Sequence, residues 1–370
     1  MLKIKCVLGA LPVVFCCVVL PAQADNPFEP DQLDNTEIKI EKQPQEKADE
    51  LTPYLLYGYK KDKLFMTTRD GNYVFVPTFT LQLRHQNAMS EGALQESGFR
   101  LRRARTQLDG NFLTSDLKYE VDLEFRTPRE DDGPMRLQDF YLDYRWNDAL
   151  HLRAGQFKVP FSYQFVISGT RQQFNERSIA NAAFSPGRDI GLLLHGKFEE
   201  QALQYSAGLF NGEGQNVFDG NQRPAAFAKV QWTPLGRYLT EESDLPRTEE
   251  PRVLFSAQSW SNADAQQNYT WSTSAFAGFK WRGLSLQSHG FQAGAFSQWG
   301  GYAQAGYFFL PKWEGALRYA HVHDVMPQSE YAAAVNYYLN GHHLKFQLDY
   351  TLLQQEEFTH RVIGQMQLSF

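Results

Sequence analysis

Four arginines fall within six consecutive residues, Arg100, Arg102, Arg103 and Arg105 in the run Phe99-Arg100-Leu101-Arg102-Arg103-Ala104-Arg105. A guanidinium is permanently charged and presents a planar fork of donors, so a cluster of them suits phosphate or carboxylate. Two readings of the cluster compete. In the first it is a basic stripe that draws anions into a confined passage by Coulomb focusing. In the second it is one side of an internal salt-bridge ladder. Glu120, Asp122, Glu124, Asp139 and Asp143 downstream supply partners, with Arg105 meeting Glu124 or Asp122 across the intervening turn. Further cations at candidate pore-lining, anion-binding positions are Lys118, Arg126, Arg153, Arg171, Arg177 and Arg188. Other chemistry is poorly provided for. None of the nine histidines sits in a nucleophile motif, and no glycine-rich phosphate cradle is present. His321 and His323 share one strand face and His342-His343 sits in a turn, but lone pairs of this kind are more often wet surface residues. No catalytic residue, cofactor or metal centre is therefore expected. The formal net charge of −6 argues against a nucleic-acid partner.

The elements that must carry these residues alternate with period two. In Lys118–Arg126 the odd positions are Tyr119, Val121, Leu123 and Phe125, and every even position is charged. In Leu344–Leu352 the even positions are Leu, Phe, Leu, Tyr and Leu, set against Lys345, Gln347, Asp349 and Thr351. A helix scatters such residues around its circumference, whereas a strand puts one set on each face. Turn signals divide the chain into sixteen strands, near 74–86, 99–113, 117–126, 135–146, 150–158, 188–198, 203–210, 225–233, 253–260, 269–281, 284–291, 300–309, 313–323, 329–339, 344–353 and 359–370. An arginine facing lipid near the midplane costs ~2–4 kcal/mol. A bulge near Arg102 puts all four on the other face, since Phe99 and Leu101 precede it in one phase and Ala104, Thr106 and Leu108 follow in the other.

The connectors alternate between tight turns and longer loops, the connectivity of an up-and-down membrane barrel. Val159–Gly187 is the longest and falls third among the long loops, so it is expected to fold inward and narrow the lumen. Pro234–Arg252 breaks the alternation, because it falls where a tight turn is due. Trp146, Trp232, Trp271, Trp281, Trp313, Tyr144 and Tyr319 lie near strand ends on the apolar side, as interfacial girdles do. Residues 1–24 read as a cleaved signal peptide: Lys3 and Lys5, an apolar run from Val7 to Leu20, then Ala22-Gln23-Ala24. All three cysteines lie in that segment, so no disulfide is expected after it. Residues 25–72 read as a polar periplasmic N-terminal segment and 73–370 as a transmembrane β-barrel. The final strand, Gln365-Met366-Gln367-Leu368-Ser369-Phe370, ends on an aromatic as bacterial outer-membrane proteins do. Mean hydropathy of −0.48 beside 14% aromatics fits a wall in which only every second residue is apolar.

The Arg-rich strand, Leu152–Ser162 (LRAGQFKVPFS), Asn175–Ser178 (NERS), Ser185–Gly196 (SPGRDIGLLLHG) and Tyr205–Gly214 (YSAGLFNGEG) together resemble the phosphate-selective porin O/P family. The resemblance is strong over Phe99–Gly214 and compatible, strand for strand, to Phe370. It implies a sixteen-stranded homotrimeric barrel in the outer-membrane lipid that passes small anions, phosphate or polyphosphate, by passive diffusion. The family's pore arginines carry over to Arg100, Arg102, Arg103 and Arg105. Its constriction lysines do not, for Val159–Gly187 contains no lysine and Lys158 is the nearest. The expectation is an all-β outer-membrane porin for small anions; the alternative is a non-conducting structural barrel or adhesin with a plugged lumen.

Overall fold

The computed structural model describes residues 55–60, 63–125, 135–198, 202–218, 223–263, 268–294 and 297–370. The expected signal peptide, most of the N-terminal segment and Arg126 lie outside the described residues. A short hairpin, β1 (Leu55–Lys60) and β2 (Lys63–Thr68), leads into sixteen longer strands. These are β3 (Val74–Ser90), β4 (Ala93–Asn111), β5 (Leu117–Phe125), β6 (Met135–Asn147), β7 (Leu150–Lys158), β8 (Arg188–Phe198), β9 (Leu203–Phe210) and β10 (Ala225–Trp232). There follow β11 (Arg252–Ala263), β12 (Tyr269–Trp281), β13 (Leu284–Ala293), β14 (Gln298–Leu310), β15 (Trp313–His323), β16 (Gln328–Asn340), β17 (Leu344–Gln354) and β18 (Phe358–Ser369). Each of the sixteen pairs antiparallel with the next, and β18 returns to β3, from Thr359 opposite Ser90 to Ser369 opposite Thr80. The sheet is therefore a closed sixteen-stranded barrel, and every strand segmented from the sequence has its counterpart in it. The hairpin β1–β2, which alternation did not single out, attaches to the start of β3 through Met66 and Thr67.

The barrel is inside out relative to a soluble one. In β17 the side chains of Lys345, Gln347, Asp349 and Thr351 are buried inside, while Phe346, Leu348 and Tyr350 are exposed on the outer face. The seven girdle aromatics are likewise all exposed. Lipid on one side and a polar interior on the other account for this inversion, and closure leaves no unpaired edge in the wall.

Among the described residues, two segments enter the lumen. The loop between β7 and β8, residues 159–187, carries two short helices, α1 (Tyr163–Val166) and α2 (Ile179–Phe184), with Ser178 capping the second through the Asn181 amide. Its back packs on the wall: Phe161 and Phe184 face Phe291, Tyr163 stacks on Phe276 at 4.0 Å, and Phe174 lies under the Arg318 guanidinium. The second is the anomalous connector 234–251. Glu242, Ser243 and Asp244 are almost wholly enclosed. Glu242 Oε2 accepts the Gln173 amide at 2.7 Å, and Ser243 donates to Glu314 at 3.0 Å. The break in the connector rhythm thus marks a turn that rises into the barrel and braces the loop from the opposite end.

The seam is closed by Phe370. Its backbone exchanges hydrogen bonds with Phe79 at 2.7 and 3.0 Å, and the two rings lie 5.6 Å apart. An aromatic pair contributes about 0.5–1.5 kcal/mol beyond its area. Phe370→Ser is expected to lower the yield of barrel that resists detergent until boiled, scored by gel mobility with and without heating. An unchanged yield would show that the seam forms without this ring.

Candidate functional site

The arginine run lies in β4 and its bulge falls at Arg102: Arg103 faces Gln82 and Leu101 faces Leu83, leaving Arg102 without a counterpart in β3. Phe99 and Leu101 point outward, 77% and 54% exposed, and the four guanidiniums share the lumen. The extra residue is what lets Arg102 and Arg103, neighbours in sequence, turn to the same side.

Their partners differ. Arg105 stands opposite Glu124 and reaches it at 3.3 Å and Asp122 at 3.6 Å, as the ladder reading requires. Arg102 instead binds a loop residue, Glu176, at 3.0 Å. Arg103 is buried and donates to the neutral Gln82 Oε1 at 2.6 Å. Its guanidinium lies so close to Gly169 of the loop that a Cβ there would sit 2.8 Å from Cζ, so a larger residue would have to displace the Arg103 side chain. Arg100 faces Arg84 across the sheet, and its enclosed Nε has no partner. Among the described residues neither Arg100 nor Arg103 has a carboxylate within ion-pair reach. The run is thus half ladder and half uncompensated charge.

Cations of the loop and of the strands that flank it add to the cluster. Arg177 donates to the carbonyls of Gln164 at 2.7 Å and Ile167 at 3.2 Å, and Arg188 forks onto Asp139 at 3.1 and 2.6 Å. Lys158 Nζ donates to Val166 O at 3.0 Å. All three cations surround the Phe165 ring, with centroid distances of 5.9 Å for Lys158, 5.2 Å for Arg177 and 5.8 Å for Arg188. The remaining candidates are dispersed. Arg153 is paired with Asp143 at 2.8 Å and lies over Tyr141. Lys118 stands opposite Asp143 near the tight-turn end. Arg171 is half-buried in the loop, where its carbonyl accepts the Glu242 amide.

Sequence reasoning missed the residues that hold the loop in place. Arg84, fully buried in β3, reaches Glu176 at 2.6 Å and also holds Asn175 O at 3.1 Å and Gln365 at 2.9 Å. Glu176 therefore bridges Arg84 and Arg102. Burial pushes its carboxyl up, but the charge and hydrogen bond of Arg102, with Arg84 and Arg103 beside it, outweigh that and hold it well below the usual carboxylate range. The signal for Arg84 was present in the alternation Gln82, Arg84, Gln86; that for Glu176 was adjacent to the chosen Arg177.

A closed, inverted barrel with a charged loop folded into it is the build of an outer-membrane porin. The family described as phosphate-selective porin O and P matches residues 81–245, from β3 through the inward loop to the inward connector, so the resemblance read from the sequence is borne out there. No curated protein sequence matches the chain. Among solved structures, the outer membrane channel DcaP of Acinetobacter baumannii is similar at 13% identity and TM-score 0.58, covering 82% of this chain and 99% of its own. OmpF of Salmonella typhi gives 13%, 0.58, 81% and 98%, and an anion-selective porin from Comamonas acidovorans 12%, 0.54, 80% and 99%. At such identities the likeness is one of fold. Family and fold together point to an outer-membrane channel rather than an enzyme.

Proposed function

We propose that this porin is a passive channel with a preference for small anions, phosphate or polyphosphate among them. The observation that carries the reading is the pair of lumen-facing arginines beside the inward loop, Arg100 and Arg103, that form no ion pair with a carboxylate among the described residues. Selectivity depends on the narrow stretch where ions shed part of their hydration, so this local excess outweighs the acidic balance of the whole chain. Arg177 and Lys158, which donate to loop carbonyls, add to the positive lining, while Arg102, Arg105 and Arg188 are held there by carboxylates and Lys118, Arg153 and Arg171 stand along the approaches. Loop guanidiniums replace the lysines that the family places at its constriction. The chain is exported through a cleaved signal peptide and assembles as a homotrimer in this reading. The test is the reversal potential of purified protein in a planar bilayer under a salt gradient, repeated with phosphate replacing chloride. Anion preference in both salts is expected, and cation preference in either would reject the reading.

One observation favours a second reading, a structural barrel that does not conduct. The loop and the inward connector meet inside the lumen through Gln173 and Glu242. Absence of current steps from folded, detergent-resistant protein would decide for it.

A further inference from the structure

Three adjacent strands bring an aspartate and two histidines together at the tight-turn end of the lumen, away from the constriction. His151 of β7 stands opposite His195 of β8, and their rings are 4.9 Å apart. Asp143 of β6 lies beside them, with Oδ1 3.4 Å from His151 Nδ1 and Oδ2 2.9 Å from His195 Nε2. We propose that Asp143, His151 and His195 bind one divalent transition-metal ion, with zinc as the simplest occupant.

The donor set is two imidazole nitrogens and one carboxylate, which suits zinc and its neighbours and not the oxygen-seeking calcium or magnesium. The spacing also fits. A tetrahedral ion ~2.0–2.1 Å from each ligand holds its donors roughly 3.4 Å apart. The three donor atoms here lie within 4.8 Å of one another, and each histidine already reaches one of the two Asp143 oxygens, His151 at 3.4 Å and His195 at 2.9 Å. On binding, the ion takes the place of the hydrogen that links His195 Nε2 to Asp143 Oδ2, with the imidazole proton carried on Nδ1 instead. Arg153 donates to Oδ2 at 2.8 Å from above the Tyr141 ring, so it orients the carboxylate from behind, as outer-shell groups do at metal centres. The two histidine side chains are 17% and 24% exposed, which leaves the fourth position to water from the lumen.

No other three-donor grouping of this kind occurs among the described residues. His321 and His323, which share one strand face, are otherwise engaged: His321 Nδ1 meets Ser329 Oγ at 3.0 Å, and His323 stacks on Trp299 at 5.1 Å. The site escaped sequence reasoning because its residues come from three strands and no local spacing joins them.

Titration calorimetry of the folded, detergent-solubilised protein with zinc at pH 7.5 tests the proposal. One ion per chain is expected, with affinity falling about tenfold or more in His151→Ala and in His195→Gln, and unchanged in His321→Ala. Heat-modifiable gel mobility verifies that each variant is folded. Failure of the wild-type protein to bind zinc overturns the site, as does binding that both folded variants retain at full strength.

Discussion

Glutamate at positions 100 and 103 is expected to convert the channel from anion to cation preference, shifting its permeability ratio by about tenfold or more. The physical basis is local. Two unit charges ~4 Å apart interact by about 1 kcal/mol in water and about 4 kcal/mol at an effective dielectric of 20. A narrow wet pore lies between those limits, and 1.4 kcal/mol is tenfold. Arg100 and Arg103 are the cations of the run without a carboxylate in ion-pair reach among the described residues, so reversing them acts directly on the positive potential. The double glutamine variant should shift the reversal potential in the same direction by a smaller amount. Arg105→Gln tests the arrangement from the other side. Arg105 masks Glu124 at 3.3 Å and Asp122 at 3.6 Å, so its loss exposes two carboxylates to the passage. Wild-type selectivity in all three would mean that the guanidiniums hold the wall together without steering ions.

The wall was legible because lipid imposes its rule at every second residue. Strand β17 announces both faces in its order of residues, and the bulge at Arg102 follows from the cost of turning an arginine toward hydrocarbon. That Arg105 would meet Glu124 or Asp122 could be read from the hairpin, and it stands opposite Glu124. What lies inside the lumen obeys no period. Nothing in the spacing of residues 159–187 says that Glu176 reaches Arg84 and Arg102, because the loop's path is set by contacts distant in sequence. The same holds for connector 234–251. Its length was visible as a break in rhythm, but its docking onto Gln173, Glu314 and Lys280 depends on the shape of a cavity that only the closed barrel creates.

Substituting Glu176 by alanine should free the tip of the inward loop, raising mean conductance and adding current noise while the barrel stays resistant to detergent. Arg84 has no exposure and would lose its carboxylate, and Arg102 would lose its partner in the loop. Removing one member of a fully buried ion pair costs ~3–5 kcal/mol. The cost here is smaller, because the Glu176 side chain is 27% exposed and water partly replaces it. That energy falls on the loop rather than the wall, whose ladders do not involve Glu176. Glutamine should be intermediate, since its oxygen still accepts from one arginine. The pH dependence has a definite sign. A carboxyl whose folded-state pKa is depressed contributes stability above its unfolded value, ~4.3 for glutamate, and loses it only as pH falls through the folded value. For Glu176 that lies well below the usual range, so conductance noise in the wild-type channel should not increase between pH 7 and pH 4.5. Alanine and glutamine variants with wild-type currents would place the anchoring elsewhere. Among the holds that remain are the Asn175 amide on Asp349 at 2.7 Å, the Gln173 amide on Glu242 at 2.7 Å and the aromatic packing of Phe161 and Phe174, none of which depends on the charge of the loop tip.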